Sequence, residues 1–218
     1  AARQPCDALV RIAEALEGAH PRESSKILRA VGDLRAMTLS TDLPDRAVLR
    51  ALQLLLTDNG IEWAIIGGLA VCVHGQPRGT DDVDVLVDTL PEPSRLADVD
   101  YMRRFGFFRA KSRTGKGLII DHQKGMVELL VADNRVRRHA LMTAKRQDIL
   151  GASVPVVEPA DLIALKVQAI ISAPKRLAKD APDILSVGLL AQPDLRRVAR
   201  AMSAEERDML QKILGQLR

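Results

Sequence analysis

One Trp, one Tyr and three Phe are the only aromatic residues among 218, or 2% of the chain. A core must therefore be built from Leu, Ile, Val and Ala, and recognition of single strands or bases by aromatic stacking is disfavoured. Two cysteines, Cys6 and Cys72, form no disulfide or metal-ligand pattern. Four scattered histidines have no zinc spacing. No run approaches the roughly 18 apolar residues of a membrane span, and the N-terminus has neither the charged nor the apolar region of a signal peptide, so a cytoplasmic protein is expected. Internal repeats and low-complexity stretches are absent as well. The length suits one large or two small domains with a sizeable core.

What is present centres on residues 63 to 88. The apolar run Ala64 to Ile66 ends in Gly67-Gly68, an apolar segment continues to His74, and Gly75 to Gly79 turns into Asp82-Val83-Asp84-Val85-Leu86-Val87. The order predicted is strand, glycine turn, short helix, turn and strand. Side chains two apart on a strand share a face, so Asp82 and Asp84 are neighbours with the valines behind them. Paired carboxylates repel unless a cation or proton sits between them. Such an oxygen-rich site suits Mg²⁺, which binds through one or two carboxylates plus substrate phosphates. Gly67 and Gly68 let a phosphate approach the backbone amides that open the helix. Both halves fit a metal-bound nucleoside triphosphate. Cys72 is expected to be a buried small hydrophobe and His74 to make a helix-end contact.

This combination resembles the nucleotidyltransferase superfamily of DNA polymerase beta type, with its Gly-Gly or Gly-Ser pair, helix, and strand bearing Asp-x-Asp. Arg78-Gly79-Thr80-Asp81-Asp82-Val83-Asp84-Val85 is most similar to the AbiEii or MenA toxins, the nucleotidyltransferase halves of bacterial toxin-antitoxin pairs. The resemblance implies transfer of a nucleotide from a nucleoside triphosphate, with Asp82 and Asp84 holding Mg²⁺ or Mn²⁺ and Arg78 and Thr80 shaping the phosphate site beside Gly67 and Gly68. Gly68 stands where many relatives carry Ser. Met126-Val127-Glu128-Leu129-Leu130 is an apolar strand with one acid at its centre, costly to bury without a cation or donors. By resemblance Glu128 completes the metal set and acts as general base. Asp121 and Asp133 compete for that place, and a solvent-facing edge strand is the plain alternative. Toxins of this type also place a Lys on one helix and Lys-Asp-x-x-Asp at the next. Lys166 and Lys179-Asp180-Ala181-Pro182-Asp183 are similar, which implies that Lys166 serves the triphosphate and that Asp180 and Asp183 orient the basic groups or the acceptor. An ordinary capped helix start gives the same pattern.

The fold expected is α/β, a small mixed sheet with helices followed by a helical C-terminal part. Its expected divisions are an N-terminal helical extension over 1–43, a nucleotidyltransferase core over 44–158 and a C-terminal helical region over 159–218. Helices are predicted over 6–17 and 24–37, from Thr41-Asp42-Leu43-Pro44 to Asp58-Asn59-Gly60, over Ser94 to Phe105, within 135–146 and from Glu158 onward. Phe107-Phe108 is expected to start a short strand and Arg109 to Lys116 to be a basic turn. Strands follow at 118–120, 126–131 and 154–157. Ser203 and Glu206 have capping-box spacing.

Charge is uneven: residues 103 to 146 hold 12 Lys/Arg against 3 Asp/Glu, while residues 1 to 100 hold 10 against 16. The basic middle suggests a polyanionic partner. With the toxin resemblance it favours RNA, particularly the 3′ end of tRNA, as acceptor, and an antitoxin protein as partner. An antibiotic nucleotidyltransferase is the first alternative, although a cationic drug favours an acidic pocket. A catalytically silent nucleotide- or protein-binding domain is the second.

Overall fold

A computed structural model describes residues 44–75, 78–80, 82–113 and 117–215. The helices expected over 6–17 and 24–37 lie outside the described residues. Seven strands, β1 (Trp63–Ile65), β2 (Asp82–Val87), β3 (Phe107–Arg113), β4 (Gly117–His122), β5 (Gly125–Val131), β6 (Lys145–Ile149) and β7 (Ala152–Val156), form one mixed sheet. Their order is β3-β4-β5-β2-β1-β7-β6. β1 pairs antiparallel with β2 and parallel with β7, and β2 pairs parallel with β5.

Helices are α1 (Arg46–Asp58), α2 (Gly67–His74), α3 (Pro93–Ala97), α4 (Val99–Arg104), α5 (Arg135–Thr143), α6 (Pro159–Ser172), α7 (Leu177–Ala191), α8 (Arg196–Ala199) and α9 (Ala204–Leu214). The α/β architecture with C-terminal helices agrees with the fold class expected. α1 buries Val48, Leu49, Leu52, Leu55 and Leu56, spaced for one helix face. Each fully buried Leu contributes about 1.5–3 kcal/mol.

Strand alternation divides the sheet into two unlike faces. Val83, Val85, Leu118, Ile120, Val127 and Leu129 are buried on one. On the other lie Asp82, Asp84, Glu128, Ile119, Asp121 and Met126, all only partly buried. We refer to this second side as the acid face.

Several boundaries differ from expectation. α1 starts later than the Thr41 to Pro44 signal, at Arg46, because Asp45 caps it by accepting from the Ala47 amide at 2.7 Å. The helix expected over 94–105 is two, because the Asp98 carboxylate accepts from the amides of Asp100 and Tyr101 and so restarts the chain. Arg109 to Arg113 continue β3 as a strand where a turn was expected, since a polar edge strand shows no apolar alternation. β6 was missed for the same reason. Leu150 and Gly151 join it to β7 with φ of 53° and 73°, as a tight hairpin requires. Asp180 and Asp183 lie inside α7 with Pro182 between them, so neither caps a helix start.

Candidate active site

β1 delivers the chain to the glycine pair. The Ile66 amide donates to the Asp84 carbonyl at 2.9 Å, which brings the turn directly against the second aspartate. Gly67 has φ of +63°, and a Cβ there would overlap the Asp84 carboxylate and stand 2.6 Å from the Asp84 Cβ. Both the left-handed backbone and the space require glycine. We expect Gly67→Ala to cost about 1–3 kcal/mol of stability. By displacing Asp84 it should also lower activity about 100-fold or more. Thermal unfolding and a transfer assay on the folded variant check this.

Gly68 is crowded from another side. A Cβ there would meet the Thr80 hydroxyl at 2.5 Å and the Thr80 Cβ at 2.8 Å. Thr80 donates to the Asp82 carbonyl at 3.3 Å, so its hydroxyl lies beside the position that carries Ser in many relatives. The absence of a side chain at 68 and the presence of Thr80 are thus one arrangement.

The carboxylates come together through the parallel pairing of β2 and β5. Asp84 lies directly opposite Glu128, and Asp82, two residues earlier, lies opposite Met126. Adjacent strands are about 4.8 Å apart, so Asp84 and Glu128 are side by side on the acid face. β5 lies between β4 and β2, so Glu128 is not on an edge strand. Asp121 also lies on the acid face, but on β4, where Arg109 pairs with it at 3.7 Å. Asp133 lies beyond the end of β5 and is bound by Arg137 at 2.8 Å.

Among the described residues, no group of three His, Cys, Asp or Glu side chains forms a ready-made metal cage. The donor set still fits Mg²⁺. Asp84 and Glu128 are paired oxygen donors, and this ion ordinarily takes only one or two carboxylates, with phosphates and water completing its shell.

A cavity of about 240 Å³ is lined by Gly67, Asp84 and Glu128 together with Arg137, Lys166 and Arg176. Acids and cations lining one cavity suit a triphosphate with its counter-ion. Lys166, buried on α6, donates to Asp180 at 2.9 Å and Asp183 at 2.7 Å. Arg176 holds the other oxygen of Asp180 at 2.7 Å. Arg78 grips Asp183 through two bonds of 3.0 Å, and neither it nor Thr80 lines the cavity. The guanidinium expected at the phosphates is thus used to fasten the loop before β2 onto α7. Three cations face two carboxylates in this network, and two of the Lys166 ammonium's three donors are engaged there. The surplus charge borders the cavity.

Burial pushes the Asp180 carboxyl up, but Lys166 and Arg176 outweigh it and hold it below the ordinary range. A carboxyl depressed by folding stabilises the protein above its unfolded pKa and loses that contribution as pH falls through the lower, folded value. Stability should therefore fall below about pH 4, and less steeply for Asp180→Asn, as unfolding monitored across pH will show.

His74 closes α2, but its ring reaches across to another segment where a helix-end contact was expected: Nε2 lies 2.7 Å from the Val157 carbonyl between β7 and α6, and burial lowers its pKa. Cys72 is less buried than expected and donates its thiol to the Arg78 carbonyl at 3.2 Å. Arg137 was legible in sequence only as part of a basic segment. Its spacing of four from Asp133, in the order that forms an ion pair, was the available signal.

No helix among the described residues is long and apolar enough to cross a membrane. No curated protein matches the sequence. Among solved structures, an antigenic nucleotidyltransferase-like protein from Paracoccidioides brasiliensis is similar, at 24% identity over 78% of this chain and 86% of that one, with a TM-score of 0.52. Two others match more loosely. The antibiotic-resistance factor ANT(2'')-Ia has 14% identity over 77% of this chain and 89% of its own, with a TM-score of 0.46. The lincosamide antibiotic adenylyltransferase LnuA, solved with lincomycin bound, has 12% identity over 67% and 98%, with a TM-score of 0.44. Residues 45–214, nearly the whole described chain, match the model of a family described as nucleotidyl transferase of unknown function (DUF2204). With the glycine turn, the facing carboxylates and the cation-lined cavity on one mixed sheet, the chain belongs to this nucleotidyl transferase family.

Proposed function

We propose that the protein moves a nucleotide from a nucleoside triphosphate to the 3′-terminal hydroxyl of RNA, tRNA foremost, as the toxin of an AbiEii/MenA-type toxin-antitoxin pair with a cognate antitoxin. The observation that carries the chemistry is Asp84 opposite Glu128 and against the Gly67 turn, in a cavity also lined by Arg137, Lys166 and Arg176. The RNA acceptor is supported by the excess of 12 basic over 3 acidic residues in 103–146. The toxin assignment is supported by the spacing of Lys166, Asp180 and Asp183, which matches that branch of the superfamily.

In the reaction the acceptor oxygen attacks the α-phosphorus. A new oxygen–phosphorus bond forms as the bond from the α-phosphorus to the bridging oxygen breaks, and pyrophosphate leaves. Glu128 takes the proton of the attacking hydroxyl. Lys166, Arg137 and Arg176 offset the charge of the departing phosphates, and the amides after Gly67 hold them at the start of α2. Asp82, Asp84 and Glu128 are the residues that would hold Mg²⁺ or Mn²⁺, which supplies Lewis-acid stabilisation of the transferring phosphoryl group. Positioning by a rigid sheet supplies much of the rate.

The test is incubation of the purified protein with Mg²⁺, each α-labelled nucleoside triphosphate in turn and total tRNA, followed by a denaturing gel. Label on tRNA from one triphosphate is expected. Label on protein alone, or none, would overturn the RNA assignment.

A further inference from the structure

Strand register extends the acid face outward from the cavity. Asp84 lies opposite Glu128, Glu128 opposite Ile119, and Ile119 opposite Lys111. Residues opposite one another in a ladder share a face. One row therefore runs from the carboxylates across three strands to the sheet edge. The neighbouring row is Asp82, Met126, Asp121 and Arg109.

The two sides of these strands are covered differently. Leu118, Ile120, Val127 and Leu129 are sealed on the far side, whereas Ile119, Asp121 and Met126 keep accessible surface and Arg109 and Lys111 are exposed. Among the described residues the acid face thus continues beyond the cavity as an accessible strip, with Met126, Ile119 and the Asp121 carboxylate in the middle and two cations at the rim, Arg109 beside Asp121 and Lys111 apart from it.

We propose that this strip of β3, β4 and β5 is where the RNA acceptor docks. Its sugar-phosphate chain crosses Met126 and Ile119, with the phosphates just upstream of the reacting hydroxyl at Lys111 and Arg109. The inference rests on the transfer function proposed above and adds the surface that selects its acceptor. Charge decides the occupant. Lys111 has no ion-pair partner among the described residues. Arg109 keeps 63% of its side chain exposed, and its contact with Asp121 is long, so that pair holds it weakly. Lys111 stands two strand spacings, about 9–10 Å, from Glu128, within reach of the phosphates next to a terminus bound there. Neither row contains an aromatic residue, so bases find no stacking partner within the rows themselves. Docking through phosphates is insensitive to sequence and steep in salt.

The test uses the full chain and a 5′-fluorescein single-stranded RNA oligonucleotide with a free 3′ hydroxyl, titrated by anisotropy over a salt series. Transfer to the same RNA and binding of Mg²⁺ with triphosphate are measured alongside. Arg109→Glu/Lys111→Glu should weaken RNA binding at least about tenfold and reduce the salt slope by roughly 1.4, about 0.7 for each lost phosphate contact. Triphosphate binding should not change, and the melting temperature should fall by no more than a few degrees, because Glu at 109 stands opposite Asp121 on an exposed edge. Arg103→Glu/Arg104→Glu makes the same charge change on α4 and should alter RNA affinity less than about threefold. Equal losses in both double variants would mean that only net charge matters and would overturn the docking site. So would a double variant at 109 and 111 that keeps wild-type affinity and rate, with the transfer function left standing. Wild-type protein that binds triphosphate but labels no RNA would overturn both.

Discussion

Asp84→Asn should leave a folded protein with no measurable nucleotide transfer. The substitution keeps size and removes one negative charge from a pair set side by side by the β2 and β5 register. Relief of repulsion between neighbouring acids offsets the loss of any hydrogen bond, so the melting temperature should stay within a few degrees or rise. Activity has no such compensation. Asp84 lines the cavity, lies against the Gly67 turn and stands opposite Glu128, so in the proposed mechanism its charge helps to hold the triphosphate's counter-ion. Removing one preorganised electrostatic group commonly costs about 10²–10³-fold, and a shared cation position raises that, so we expect at least about 10³-fold in kcat/KM. Asp88→Asn is the control. Asp88 follows β2, is exposed and serves the Glu62 amide, so its activity should stay near wild type. Full activity in folded Asp84→Asn would sink the proposed mechanism.

Lys166→Met should have the largest effect on stability. The ammonium is enclosed by Asp180 and Asp183, which are themselves almost wholly buried, and α6 and α7 meet at this cluster. Breaking a buried pair by removing one partner costs about 3–5 kcal/mol, because the carboxylates left behind are desolvated. For a domain of this size each kcal/mol corresponds to roughly 2–4 °C. A fall of roughly 6–20 °C in melting temperature is therefore expected by calorimetry. Arg78 and Arg176 still reach the two acids, which places the result toward the lower end. Adding Asp183→Asn to Lys166→Met should cost less than the sum of the two single changes, since the second removes a charge that the first has stranded. A loss below about 1 kcal/mol in Lys166→Met would mean that the network contributes little to holding α6 against α7.

The central strand-turn-helix-strand unit was legible because its signals are local. Alternation in Asp82 to Val87 and glycines at the required turn each reflect forces acting within a few residues. Glu128 was legible as a lone acid in an apolar strand, but its place opposite Asp84 depends on pairing between segments far apart in sequence. The cation wall was harder. Nothing local tells that Arg78 turns to Asp183 while Arg137 and Arg176 border the cavity, because those outcomes depend on how α5, α6 and α7 pack. Pro182 misled in a specific way: proline favours a first turn, yet here the short turn Pro174–Arg176 precedes α7 and places the ring in its sixth position. The start of β3 at Phe107 was legible, but its continuation over 109–113 and the whole of β6 escaped because residues that meet water on an edge need not alternate.

The position of β2 has a consequence for how the molecule opens. It is paired on both sides, as is β1, while β3 and β6 each have one edge unpaired among the described residues. Local fluctuations release edge strands at low free energy, whereas strands paired on both sides open only with the whole sheet. Amide protons of Val83 to Leu86 should thus be among the last to exchange with solvent. The two aspartates ride on the part of the chain that fraying reaches last, so a protein with β3 already detached still presents Asp84 and Glu128 in register.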